Sequence, residues 1–189
     1  MSAWQSGAGT TDPAVMRIGT GYDSHRFAEG RELILGGVLI PDHVGLSGHS
    51  DGDAVAHAII DAMLGAAAAG NIGRHFPPDD DEWKDADSMD LLARVVEMLD
   101  ARDYRVGNVD VTVICETPKI GPHSDAMCLC LGEAMRISSS QISIKGKSNE
   151  GMGWIGAGEG IAVHAVALIQ SQTGSSVEHG GGGGEARTL

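Results

Sequence analysis

Three residues of this 189-residue chain have the types and spacing of a metal site: Asp23, His25 and His57. Asp23 and His25 lie in Ile18-Gly19-Thr20-Gly21-Tyr22-Asp23-Ser24-His25, an extended-looking segment in which positions two apart share a face. His57 follows on an alanine-rich stretch that opens with Ser50-Asp51-Gly52-Asp53. Two imidazoles and one carboxylate leave the fourth position of a tetrahedral zinc open, the ligand arithmetic of a catalytic site, whereas a structural zinc usually takes cysteines. The competing reading is three unconnected polar residues near turns.

The elements that must position these side chains are legible from periodicity. A helix is expected at about 52–69, with Ser50 as its cap and Asp53 as the acidic third residue of a capping box. On it Asp53, His57 and Asp61 are four apart, so a carboxylate there can hold the second imidazole N–H of His57; the alternative is a solvated polar stripe. Val55, Ile59 and Met63 turn inward. Before it, Glu32–Leu35 and Val38–Ile40 flank Gly36-Gly37 as a two-residue hairpin. A second helix fits 88–102, with Leu91, Leu92, Val95, Val96 and Leu99 on one side. Val109–Val113 alternates as a half-buried strand, and Pro122 opens a third helix carrying Met127, Leu131 and Met135. Residues 141–147 and 160–170 read as two more strands. The last is apolar on both faces, which places it centrally in a sheet or under another subunit, and His164 within it reads as a core or interface histidine.

Composition narrows the class. The length suits one domain. No apolar run reaches the length of a membrane span, and the start lacks a basic region followed by a hydrophobic block, so a cytoplasmic protein without a membrane partner is expected. Cys115, Cys128 and Cys130 are odd in number and lack C-x-x-C spacing, which argues against a disulfide framework and a sulfur-rich zinc site. A formal net charge of −13 argues against a nucleic-acid partner. It also means that a phosphate-bearing substrate needs local help from metals, helix N-termini or a few placed lysines. Residues 1–15 and 171–189, the latter with a glycine run, read as disordered extensions around a domain at 16–170.

GYDSH, HSDGDAVAH, GNIGRHFP, ETPKIGPH and GEGIA, in this order, resemble the 2-C-methyl-D-erythritol 2,4-cyclodiphosphate synthase family, in its monofunctional form, over about residues 16–170. The resemblance implies an α+β two-layer sandwich in which a mixed four-stranded sheet packs on helices, with a small N-terminal hairpin. It implies a homotrimer around a central channel, with an active site at each subunit interface. The implied reaction converts 4-diphosphocytidyl-2-C-methyl-D-erythritol 2-phosphate to the cyclic diphosphate and CMP.

Carried over residue by residue, the resemblance makes Asp23, His25 and His57 the ligands of one Zn2+ per subunit. Glu150 helps hold a second divalent ion, Mg2+ or Mn2+. His49 and Ser148 match the transition-state stabilisers; without the resemblance His49 is a turn residue before a helix. Asn71, Ile72 and Gly73, then Phe76, Pro77, Pro78, Asp79 and Asp80, match the segments holding the methylerythritol portion. Cys115, Glu116, Thr117, Pro118, Lys119, Ile120 and Gly121 match the cytidine pocket, where Lys119, otherwise a solvated lysine, meets the phosphate end. Lys147, Ser148, Asn149 and Glu150 complete that side, and Ser24, Ser50 and Trp154 join the substrate contacts. Three positions depart from the family pattern: Asn71 stands where Asp is usual, Pro78 replaces an acidic residue, and Ala157 stands for a frequent Arg that faces an anionic channel ligand. An isoprenoid diphosphate in the channel is therefore not carried over. Two other classes share these features, a zinc-dependent phosphohydrolase acting on a nucleotide-linked substrate and a noncatalytic trimeric binding module.

Overall fold

The computed structural model describes residues 15–77, 79–83 and 86–172, so the expected terminal extensions lie almost wholly outside the described residues. Strand β1 (Met16–Ala28) is followed by the hairpin β2 (Leu33–Leu35) and β3 (Val38–Ile40) and a two-residue strand, β4 (Gly45–Leu46). Helix α1 (Ala54–Ala66), a short α2 (Ile72–His75) and α3 (Ser88–Asp100) come next. The second half runs β5 (Tyr104–Ile114), α4 (Ser124–Met135), β6 (Ile142–Lys147), a short α5 (Gly153–Gly156) and β7 (Gly160–Ser171).

The main sheet has the order β4-β1-β7-β5-β6. β7 is central: it pairs antiparallel with β1 from Met16↔Gln170 to Arg26↔Gly160, and antiparallel with β5 on its other side. β5 and β6 are parallel, joined through α4. The sheet is therefore mixed and packs on helices, as expected, with the two-residue β4 added at the edge of β1 as a fifth strand. β2 and β3 form the separate hairpin, and Gly36 and Gly37 both take the positive φ that its turn demands.

Alternation along β7 explains its two faces. Ile161, Val163, Ala165, Ala167 and Ile169 are buried under α1, whereas His164 and Val166 are exposed on the opposite face beside Tyr22 and Ile18 of β1. His164 is thus not a core residue of this chain; its ring lies 4.9 Å from that of Tyr22 on the open face.

Helix α1 is held unusually close to β1. Ala54, Ala58, Ala62 and Ala66 recur every four residues and are buried, and the strand opposite carries Gly19 and Gly21. A Cβ on Gly19 would lie 2.0 Å from the Ala62 carbonyl oxygen, and one on Gly21 would lie 1.9 Å from that of Ala58. Small residues on both sides therefore let helix and strand backbones touch. The other side of α1 buries Ile59, Ile60, Met63 and Leu64 with exposures of 1% or less, each worth about 1.5–3 kcal/mol of transfer free energy.

The start of α1 differs from expectation. Asp53, not Ser50, is the N-cap, accepting from Val55 N and Ala56 N, because its carboxylate lies just outside the first turn. The same carboxylate accepts from Gly36 N at 2.9 Å and Gly37 N at 2.7 Å, so it fastens the hairpin turn to the helix. Before the third expected helix, Pro122 sits in a 3-10 turn, Gly121–His123, that leads into α4.

Candidate metal centre and nucleotide cleft

Asp23 and His25 project from the same face of β1, two residues apart, and His57 faces them from the first turn and a half of α1. His25 Nε2 and His57 Nδ1 lie 2.8 and 3.0 Å from Asp23 Oδ2. One donor atom from each of the three lies within 4.8 Å of the others. Each imidazole is held from behind. His25 Nδ1 faces the Ser47 carbonyl, so it donates there and presents Nε2 to the site. His57 Nε2 lies 3.0 Å from both Ser50 Oγ and Ser88 Oγ, presenting Nδ1. Two imidazole nitrogens and a carboxylate oxygen converging with their ring orientations fixed suit zinc, whose three-ligand sites keep one position open.

Electrostatics agree with a site built for a cation. Burial works against ionisation of Asp23, but hydrogen bonds and charge from His25 and His57 outweigh it and hold the carboxyl well below the usual range. The bond to Asp23 raises His25 against the opposing effect of burial. Burial raises Asp61, which lies along the same cavity.

The carboxylate expected to steady His57 is not there. Asp53 is fully buried in its cap and hairpin bonds, and Asp61 Oδ1 accepts from Ile72 N at 2.7 Å, fixing the start of α2. The helix stripe is real, but each acid is turned toward a backbone partner. Two serines hold the ring instead; Ser88, at the start of α3, was invisible to a local reading because packing alone brings it to His57.

The three donors open into a cavity of about 230 Å³. His49 and Ser50 line it, as do Ile72, Gly73 and Phe76, so the structure gathers these expected residues at the metal donors. Trp83 and Leu91 complete an apolar wall that the sequence reading missed; Phe76 and Trp83 meet edge-on at 5.0 Å, and the Arg94 guanidinium lies 5.2 Å from the centre of the Trp83 ring. The signal was available in the aromatic spacing after Phe76. Asn71 caps α2 without a side-chain bond. Pro77, Asp79 and Asp80 do not line the cavity, and Asp79 and Asp80 are exposed; Pro78 lies outside the described residues.

The remaining expected residues gather elsewhere. Cys115, Pro118, Lys119, Ile120 and Gly121 line a second cleft of about 290 Å³ with Lys147 and Ser148. Burial pushes the Cys115 thiol up to about 11, so it is an inert wall rather than a nucleophile. Glu116 Oε1 accepts from Asn149 N at 3.0 Å and Gly151 N at 3.1 Å, joining this loop to the turn after β6. Thr117 is tied to His43 through its hydroxyl, 3.1 Å from Nε2. Ser148 Oγ donates to Glu150 Oε1 at 2.8 Å. Trp154, with Ser24, His25 and Arg26, lines a third crevice. Among the described residues of a single chain, the metal cavity and the second cleft share no lining residue.

Comparisons with known proteins converge. The YgbB family pattern matches residues 16–170. A curated 2-C-methyl-D-erythritol 2,4-cyclodiphosphate synthase from Symbiobacterium thermophilum is 53% identical over 154 residues, 82% of this chain and 98% of that one. One from Gloeobacter violaceus is 51% identical over 155 residues, 82% and 95% of the two chains. Among solved structures, the Plasmodium falciparum IspF–CDP complex superposes with a TM-score of 0.73 at 36% identity, covering 83% of this chain and 97% of that one. The bifunctional IspDF of Campylobacter jejuni gives a TM-score of 0.81 at 34% identity, covering 84% of this chain and 43% of that longer one. With a donor cluster at the floor of its cavity and these relatives along nearly all of its described length, the chain belongs to the YgbB family.

Proposed function

We propose that this chain cyclises 4-diphosphocytidyl-2-C-methyl-D-erythritol 2-phosphate to 2-C-methyl-D-erythritol 2,4-cyclodiphosphate with release of CMP, a step of the non-mevalonate isoprenoid pathway. The observation that carries the reading is the Asp23–His25–His57 cluster opening into an apolar-walled cavity, in a chain about half identical to synthases of that name. The substrate's 2-phosphate oxygen attacks the β-phosphorus; a new P–O bond forms as the bond to the CMP oxygen breaks, and CMP departs. Such a transfer asks the protein for alignment and charge neutralisation more than for covalent chemistry, which fits a site without an activated nucleophile.

Asp23, His25 and His57 would hold Zn2+, which when bound polarises a diphosphate oxygen. Glu150 would share a Mg2+ or Mn2+ ion with the phosphates; its bond to Ser148 occupies one carboxylate oxygen. His49 and Ser148 act as donors beside the attacking and leaving phosphates, Ser148 by turning to phosphate the hydroxyl proton that it gives to Glu150 in the free chain. Ile72, Gly73 and Phe76 seat the methylerythritol portion, with Asn71, Pro77, Asp79 and Asp80 adjoining them in sequence, and the apolar wall keeps water from competing with the internal phosphate. Cys115–Gly121 receive cytidine, Lys119 neutralises phosphate, and Lys147, Asn149 and Trp154 close that side. The two halves share no described lining residue in one chain, which supports a complete site that takes its zinc half from one subunit and its cytidine half from a neighbour in a homotrimer. The exposed face of β1 and β7 is the surface that such a trimer covers around its channel. A cytoplasmic location belongs to the same reading; no described helix is long and apolar enough to cross a membrane.

The test is to supply the diphosphocytidyl substrate and follow the products by phosphorus NMR. Equimolar CMP and cyclic diphosphate are expected. Inorganic phosphate without the cyclic product would mean a hydrolase, and no CMP would mean a binding module.

A further inference from the structure

We infer that Asp51 and Ser88 form a proton-ordered relay that sets the tautomer and angle of His57, making both residues positioning groups for the metal centre. This rests on the metal reading above. It is carried by bonds around two residues that no part of the expected site includes.

Ser88 is the first residue of α3 and is fully buried. Its backbone N–H donates to Asp51 Oδ2 at 3.0 Å, and its hydroxyl donates to Asp51 Oδ1. Asp51 is itself fixed, since its N–H donates to the Ala86 carbonyl and its Oδ1 also accepts from Asp53 N at 3.1 Å. The carboxylate therefore ties the lead-in to α1 to the N-terminus of α3. It leaves the Ser88 oxygen facing His57 Nε2 at 3.0 Å.

Proton counting then fixes the tautomer. A carboxylate only accepts, and a serine hydroxyl has one proton. With that proton committed to Asp51, the Ser88 oxygen can meet Nε2 only as an acceptor. Nε2 must carry hydrogen, so the lone pair of the neutral ring lies at Nδ1, the atom that faces Asp23. Ser50 is also 3.0 Å from Nε2 and accepts from Gly52 N, but its own proton is not committed to a carboxylate, so it adapts to either tautomer. Direction comes from the Asp51–Ser88 side. The arrangement does with an inserted hydroxyl what a carboxylate bound directly to a ligating imidazole does elsewhere.

The experiment measures zinc affinity by chelator competition for the parent, Ser88→Ala, Ser88→Thr, Asp51→Asn and His57→Ala. Ser88→Ala should bind zinc about ten- to a hundredfold more weakly. Ser88→Thr, which keeps the hydroxyl, should recover most of that loss, and Asp51→Asn should show a smaller loss in the same direction. A spectroscopic readout separates positioning from simple loosening of the fold. With cobalt in place of zinc, the exchangeable N–H protons of His57 and His25 give separate shifted resonances. Ser88→Ala should move and broaden that of His57 while leaving that of His25, which rests on the Ser47 carbonyl, in place. Parent-like affinity and an unmoved His57 resonance in Ser88→Ala would overturn the relay, as would equal shifts of both resonances. His57→Ala distinguishes the two layers of argument: zinc lost there but fully held by Ser88→Ala removes the relay alone, whereas zinc held by both removes the metal reading with it.

Discussion

Gly21→Ala places one methyl group where β1 meets α1, and its effect on the metal centre follows from distances. The added carbon would lie 1.9 Å from the Ala58 carbonyl oxygen and 2.7 Å from Ala62 N, both backbone atoms that no rotamer change can move. The first contact is about 1.5 Å short of ordinary van der Waals separation. Helix and strand must part, and the parting acts directly on the donors: Asp23 is two residues along the strand from Gly21, and His57 adjoins Ala58. If α1 retreats as a body, the 3.0 Å from His57 Nδ1 to Asp23 Oδ2 opens toward about 4.5 Å, whereas metal–ligand distances tolerate only about 0.2 Å. Overpacking of this kind costs about 1–3 kcal/mol or more. Urea unfolding of the metal-free protein should show that loss, and chelator competition should show zinc binding weakened by more than tenfold. Gly65→Ala is the control on the same helix. Its Cβ would meet only Thr20 O, at 3.7 Å, so it should be neutral or stabilise by up to about 1 kcal/mol. Parent-like zinc affinity in Gly21→Ala, with a stability loss under about 0.5 kcal/mol, would refute the claim that this glycine sets the strand–helix spacing.

Zinc should stabilise the protein more as pH rises from about 6 to 8. In the metal-free protein the raised His25 contributes stability that is full below the ordinary imidazole pKa and lost as pH rises through its folded value. The lowered Asp23 contributes above the ordinary carboxylate pKa and loses its contribution as pH falls. Zinc needs the imidazoles unprotonated, so the Tm difference between loaded and metal-free protein should widen across that interval; a constant or shrinking difference counts against the ligand assignment. Lys119→Ala should weaken CDP binding more at low salt than at high salt without changing zinc content, and calorimetry showing equal CDP affinity would remove Lys119 from the cleft. Refolding His57→Ala with Lys119→Ala chains together should regain activity at interfaces that pair two intact halves, about one in four for random cyclic assembly. Proven chain exchange without recovery would place the whole site in one chain.

What could be read ahead of the structure was whatever repeats locally. The stripe of Leu91, Leu92, Val95, Val96 and Leu99 announced α3, alternation announced β5 and a run apolar on both faces announced β7, because such patterns need only one element to show themselves. Asp23 and His25 were legible for the same reason, since a strand places them on one face. The four-residue α2 and α5 and the two-residue β4 are too short to display a period. The cap of α1 went to Asp53 because that carboxylate also receives the hairpin turn, a tertiary demand without a local signature. Ser88 and Asp51 escaped notice because the bonds of Ser88 to His57 and to Asp51 join separate elements.

The central position of β7 also orders events in time. All three candidate metal donors are present once residue 57 has been made, but β1, which carries two of them, is paired over eleven positions with a strand that starts at Gly160. A growing chain therefore holds its donors for most of its synthesis without the neighbour that straightens their strand. Closing so long a loop costs entropy that only the completed sheet repays. Assembly of this candidate metal centre thus becomes a late event, tied to the arrival of the last strand, and a chain halted before residue 160 carries the three donor residues but not the site.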